Sequence, residues 1–195
     1  MIKRLFDFVA ALAGLVVLAP LFAVVAICIR LDSPGPAWFR QQRVGRHGVT
    51  FNIIKFRTMF DEAHDGLLTI GHDRRITPAG RFLRRHKLDE FPQLFNVVAG
   101  TMSLVGPRPE VPRYVECYPP EVRSVVLSVA PGITDWASIC YKDENALLGG
   151  SADPERTYLD TILPAKLKYN LRYVNERSFW NDIRIIFTTL FTLVR

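Results

Sequence analysis

Two adjacent acids, Asp89 and Glu90, stand between clustered cations in the stretch 84–109, RRHKLDEFPQLFNVVAGTMSLVGPRP. Ahead of them come Arg81, Arg84, Arg85 and Lys87. Behind them Arg108 is held between Pro107 and Pro109, whose rings fix φ and stiffen the turn. Adjacent carboxylates can hold a divalent cation, and guanidiniums grip phosphate oxygens through paired N–H donors. Together they suit phosphoryl transfer, in which anions must be brought against an anionic nucleophile. The same residues also suit a plainer use. Acids at a helix start are common caps, and arginines near acids often form a solvated, ion-paired face.

The elements around this pair follow from spacing. Phe91, Leu94, Phe95 and Val98 recur at helical intervals, with Asp89 expected as the N-cap, Pro92 in the first turn and Gly100 closing the helix. Both carboxylates are then expected at the positive end of a short helix, which favours their ionised forms. Thr77-Pro78 predicts a preceding helix through Lys87 that delivers the arginines. Residues 37–43 and 49–58 are β-prone runs separated by Gly45-Arg46-His47-Gly48 and predict a hairpin. In its second strand Ile53, Lys55 and Arg57 share one face and Phe56 points the other way.

Residues 8–29 form a run without a charge, which as one helix reaches about 33 Å, enough to span a bilayer. Pro20 falls in its middle and removes a backbone donor, so a kink is expected. Lys3 and Arg4 precede the run, while Arg30, Arg40, Arg43 and Arg46 follow it. Basic flanks prefer the cytoplasm, so charge on both sides favours a helix-break-helix entering and leaving on one face, anchored at Pro20. A simple span is the competing topology, and periodicity alone favours it.

A formal net charge of +6 points to an anionic partner: nucleic acid, a phosphorylated ligand or acidic lipid. Paired aromatics of the RNA-binding type are absent, which argues against nucleic acid. Cys28, Cys117 and Cys140 are widely spaced and show neither a CxxC nor a zinc pattern, consistent with a reduced, intracellular setting. His47, His64, His72 and His86 lack HxxxH spacing and are read as surface residues. Two further acid pairs, Asp61-Glu62 and Asp143-Glu144, fall in polar stretches (60–76 and 142–152) expected to be loops. A helix is expected within 119–130, a strand carrying Trp136 over 133–141, and a long helix from Asp153-Pro154 through Asn175, bent at Pro164. The last stretch, 178–195, places Phe179, Ile183, Ile186, Leu190 and Val194 at helical spacing and is a candidate interfacial helix.

In this order the motifs resemble the monotopic phosphoglycosyl transferases, the bacterial sugar transferase family. KRLFDF at 3–8, FNIIKFRTM at 51–59, LDEFPQLFNVVAGTMSLVGPRPE at 88–110, PGIT at 131–134 and Tyr173-Val174 with Asp182-Ile183 carry the resemblance through nearly the whole chain. It implies an α+β membrane-associated fold: a re-entrant anchor over 1–32, and over 33–195 a catalytic domain with a small antiparallel hairpin and interfacial helices. It also implies transfer of a sugar-1-phosphate from a UDP-sugar to polyprenyl (undecaprenyl) phosphate with release of UMP, in two ping-pong steps. Asp89 would be the nucleophile, Glu90 its partner in placing Mg²⁺, and Arg84, Arg108 and Lys55 would hold phosphate oxygens. The implied location is the bacterial inner membrane, with the catalytic domain facing the cytoplasm. The resemblance covers a catalytic core, with no further transmembrane bundle or second transferase domain. Many relatives read Ser-Pro where this chain has Ala19-Pro20, and Gly-Trp-Ala-Gln where it has Asp135-Trp136-Ala137-Ser138. The alternative from another class is a non-catalytic, membrane-anchored basic module that binds anionic lipid or nucleic acid.

Overall fold

Helix α1 (Ile2–Asp32) is the long apolar element, and it lies along the body of the protein. The computed structural model describes residues 2–60, 68–71 and 73–194, so Asp61, Glu62, His64 and His72 lie outside the described residues. By length and composition α1 can cross a membrane. The helix-break-helix expected at Pro20 does not show as an interruption, because α1 continues as one helix through that residue. One face is docked: Ala11, Phe22, Val25 and Ile29 are buried, while Val9, Val16, Val17, Val24 and Ile27 stay exposed. Its first turns are fixed by polar contacts. Lys3 Nζ donates to Asp182 Oδ2 at 2.5 Å, Arg4 Nη1 to the Val97 carbonyl at 2.6 Å, and Ser103 Oγ to buried Asp7 at 2.7 Å. At the far end, Ala79 N donates to Asp32 Oδ2 at 3.1 Å.

The hairpin forms as expected, with β1 (Trp38–Val44) antiparallel to β2 (Thr50–Phe56) and Phe39 opposite Lys55. Trp38 stacks on Phe56 at 4.9 Å, and Phe22 of α1 meets Phe56 edge-on at 5.3 Å, so hairpin and anchor share one aromatic core. Helix α2 (Pro78–Arg85) starts where Thr77 Oγ1 accepts from Gly80 N at 2.9 Å. Thr77→Ala is therefore expected to lower stability by about 1 kcal/mol in a denaturant titration, and Thr77→Ser to recover most of it.

Helix α3 (Gln93–Ala99) ends at Gly100 with φ +89°, as its spacing predicted. Its start differs. Asp89 is not a cap; it sits inside a 3-10 turn, Leu88–Glu90, and Pro92 occupies the cap position of α3. Asn96 ties α3 to the hairpin, accepting from Ile54 N at 2.9 Å and donating to the Asn52 carbonyl at 2.8 Å.

A second, parallel pair joins β3 (Ser103–Val105) to β4 (Gly132–Thr134). A Cβ on Gly132 would lie 2.1 Å from Gly106 N, so only glycine lets these backbones approach and hold the Pro107 carbonyl at 3.0 Å. Between them lie α4 (Pro112–Glu116) and α5 (Pro120–Val126). The strand expected over 133–141 ends early. Asp135 Oδ1 accepts from Ser138 N at 2.7 Å and starts α6 (Trp136–Cys140) instead. The expected loop over 142–152 contains α7 (Glu144–Gly149).

The long helix from Asp153 is divided into α8 (Pro154–Thr157), a π-turn at Tyr158–Ile162, and α9 (Leu163–Glu176). Pro164 lacks the N–H that would continue the ladder, so the π-turn falls just before it. Helix α10 (Phe179–Val194) buries Asp182 and Ile185 and exposes Trp180, Phe187, Leu190 and Phe191. The fold is helix-rich and mixed, with one antiparallel hairpin and one long apolar N-terminal helix.

Candidate active site

Three elements converge on the acid pair. Strand β2 presents Lys55, the turn after β3 presents Arg108, and α2 presents Arg84. Asn96 matters here although sequence spacing gave it no role. By locking α3 to β2 it sets the acid-bearing turn opposite Lys55. Lys87, just ahead of the acids, has φ +54°, a left-handed conformation that a non-glycine residue holds only when its surroundings impose it.

Glu90 is the centre of charge. Lys55 Nζ donates to its Oε1 at 2.8 Å, and Arg108 grips both oxygens, with Nη1 to Oε2 at 2.9 Å and Nη2 to Oε1. Arg108 is thus bonded to Glu90, with both terminal nitrogens committed to that carboxylate. Lys55, expected on the same phosphate surface, is committed to the carboxylate. Burial pushes the Glu90 carboxyl up, but Arg108 and Lys55 outweigh it and hold it well below the carboxylate range.

Asp89 is the opposite case. It is only 7% exposed, and its Oδ1 has no hydrogen-bond partner among the described residues. Burial, and then the charge of Glu90, push its carboxyl up against the pull of Lys55, Arg84 and Lys87. A buried carboxylate oxygen with nothing to bond is costly, and such groups mark sites whose partner arrives with the ligand. Arg84 is not bonded to either acid. Its Nε donates to Thr58 Oγ1 at 2.8 Å and its Nη1 to Thr69 Oγ1 at 3.0 Å. Burial lowers its pKa, with Asp89 the leading charge opposing that shift.

The two acids therefore have separated roles: Glu90 stays ionised and neutralised, and Asp89 holds an unused oxygen. Without a bound metal, the acid limb of the site's titration belongs to Asp89. A raised folded pKa means the reactive form is lost as pH falls through a value above the ordinary 3.8. Glu90 contributes stability above its ordinary 4.5, and that is lost only as pH falls through a lower folded value. In metal-free protein the Asp89 carboxyl, followed by infrared difference against Asp89→Asn, is expected to take up its proton above the ordinary value and before any loss of fold. A limb at the ordinary carboxylate value would contradict this.

Among the described residues no group of three or more His, Cys, Asp or Glu side chains converges on one point. The donor set here is two carboxylates, one with a bare oxygen. That fits a hard divalent cation which takes one or two protein carboxylates and fills its shell with substrate phosphate and water. Two further residues, which the sequence reading gave no role, shape the site. Asp135, buried after the PGIT motif, accepts from the Arg108 N–H at 3.3 Å, and Glu110 anchors the other end of the Pro-Arg-Pro turn. Pro20 lies far along α1, exposed, outside this constellation.

A family model described as bacterial sugar transferase matches residues 1–195. The chain is similar to the UDP-N-acetylgalactosamine-undecaprenyl-phosphate N-acetylgalactosaminephosphotransferase of Aeromonas hydrophila, 36% identical over 99% of this chain and 44% of that protein. The UDP-glucose:undecaprenyl-phosphate glucose-1-phosphate transferase of Escherichia coli (strain K12) is 37% identical over 98% of this chain and 40% of its own length. The protein of that same name from Caulobacter vibrioides is 35% identical, over 98% of this chain and 69% of its own. The chain spans less than half the length of the first two relatives.

Proposed function

The chain belongs to the bacterial sugar transferase family, and from that premise we propose that it moves a sugar-1-phosphate from a UDP-sugar to polyprenyl phosphate, releasing UMP. The relatives' named reactions support the substrate classes. The observation that carries the mechanism is the bare, buried Asp89 oxygen beside a Glu90 neutralised by Arg108 and Lys55. In the first step an Asp89 oxygen attacks the sugar-bearing phosphorus of the donor. The bond from that phosphorus to the bridging oxygen breaks, and UMP leaves with the oxygen. An aspartyl ester of the phosphosugar remains. In the second step an oxygen of polyprenyl phosphate attacks the same phosphorus, the ester bond breaks, and Asp89 is regenerated. Arg84 and Arg108 offset the charge of the two phosphates as they approach, and Lys55 keeps Glu90 in place.

Mg²⁺ would take the bare Asp89 oxygen, with Glu90, whose two oxygens Arg108 and Lys55 hold in this structure, as its second protein ligand. Bound there it would neutralise diphosphate charge and orient the phosphorus. The anchor reading belongs with this proposal: residues 1–32 associate with a single leaflet and 33–195 form the catalytic domain on the cytoplasmic face of the inner membrane. In its support, Lys3 and Asp32, at opposite ends of a helix about 46 Å long, are both bonded to the same body. A straight span would separate them by the thickness of a bilayer. A polyprenyl phosphate head lies at that interface, where a soluble UDP-sugar can meet it.

The test is UMP release by the full chain in nanodiscs, with UDP-glucose and UDP-N-acetylgalactosamine as donors. Sustained release is expected only with both undecaprenyl phosphate and Mg²⁺ present. EDTA is expected to stop it and excess Mg²⁺ to restore it. Sustained turnover in EDTA would remove the cation from the reading, and protein that binds anionic vesicles but turns over neither donor would favour a non-catalytic module.

A further inference from the structure

Behind the site lies a buried ion network that the reaction does not use. Lys166 of α9, 6% exposed, donates to Glu110 Oε1 and Glu144 Oε2, each at 3.2 Å, and its third donor meets the Tyr158 hydroxyl at 3.4 Å. Tyr158 in turn donates to Glu110 Oε1 at 2.7 Å. A lysine buried this deeply is costly unless every donor is matched, and here all three are.

Each carboxylate leads to a different arginine. Glu110 closes the Pro-Arg-Pro turn, two residues from Arg108, and its carbonyl is fixed by Val44 N at 2.9 Å. Glu144 opens α7. On that helix the Asn145 carbonyl accepts from Gly71 N at 3.1 Å, and a Cβ on Gly149 would come within 2.9 Å of Gly71 Cα. Gly71 has φ +49°, so the contact needs glycine on both sides. Two residues back, Thr69 Oγ1 holds Arg84. The segment 68–71 is thus a strap pinned at one end on α7 and at the other on the Arg84 guanidinium.

We propose that Lys166 is a positioning residue that keeps Arg84 and Arg108 in register by stapling the Pro-Arg-Pro turn to the helix on which the Arg84 strap is docked. The proposal rests on the reading that both arginines receive donor phosphate. One ammonium fixes the distance between two segments that share no direct bond among the described residues, and a diphosphate gripped from both sides needs that distance held.

Hydrogen exchange on the full chain in nanodiscs reads the staple without substrate. The Gly71 and Arg108 amides, bonded to Asn145 and Asp135, are the reporters, and the β1–β2 hairpin away from Arg43 and Val44, which touch Glu110, is the control. In Lys166→Met both reporters are expected to exchange about tenfold faster while the hairpin is unchanged, and Lys166→Arg is expected to restore both. Glu144→Gln, a milder variant, is expected to loosen Gly71 and leave Arg108 protected. With UDP-glucose as donor, Lys166→Met is expected to raise KM about tenfold with a smaller change in kcat.

Equal acceleration of the hairpin, or a response at only one reporter in Lys166→Met, overturns the staple. If exchange is coupled as stated but Arg84→Lys and Arg108→Lys leave the donor KM unchanged, the phosphate assignment fails and the staple stands.

Discussion

Asp89→Asn protein is expected to release UMP at no more than about one ten-thousandth of the normal rate, because loss of a nucleophile removes a step and not a contact. The side chains are nearly isosteric, so the donor pocket survives. The amide cannot form the ester. Incubation with radiolabelled UDP-glucose and no acceptor is expected to leave label on the normal protein, in proportion to UMP released, and none on the variant. Stability is expected to move the other way. Burial and Glu90 raise the Asp89 carboxyl, so at neutral pH the ionised acid strains the folded state, and an amide relieves that. An inactive protein that melts higher than the normal one separates lost chemistry from lost fold. Normal turnover without covalent label would end the two-step mechanism.

Arg108→Ala is expected to show the second largest effect, on both activity and stability. The guanidinium supplies two of the hydrogen bonds to Glu90, whose side chain is only 15% exposed. Truncation leaves a buried carboxylate with Lys55 as its only ion-pair partner among the described residues, and breaking such a pair costs about 3 kcal/mol. In a chain of this size that lowers the melting temperature by about 6 to 12 °C. Activity is expected to drop about a thousandfold, since the phosphate grip is lost and Glu90 shifts from its place. Arg108→Lys keeps the charge but not the fork, and is expected to recover stability more than rate. Equal losses in both variants would point to geometry alone; no loss in either would remove Arg108 from the site.

The contrast between these variants reflects what each acid touches, and that was only partly legible in the chain. Local signals held. The charge-free run 8–29 became α1, Thr77-Pro78 opened α2, Gly100 closed α3, and the turn residues 45–48 joined a hairpin. Each of these depends on a few neighbouring residues, so spacing suffices. Local signals also misled where a distant partner won. Asp89 has the chemistry of a cap, yet it is held in a 3-10 turn with its Oδ1 unbonded. Residues 136–140 look strand-like, yet Asp135 folds them into a helix.

The residue types and order of the central motif were enough to determine that acids and guanidiniums would meet, because Arg108 follows Asp89 by 19 positions and a stiff turn ends the stretch. Which of them would meet was decided only in three dimensions. Lys55 reaches Glu90 across 35 residues, Asp7 reaches Ser103 across 96, and Lys166 reaches Glu110 across 56. Such pairs are selected by packing: a charge taken out of water must find whichever opposite charge or hydrogen-bond donor the converging elements leave beside it, and no periodicity along the chain encodes that choice.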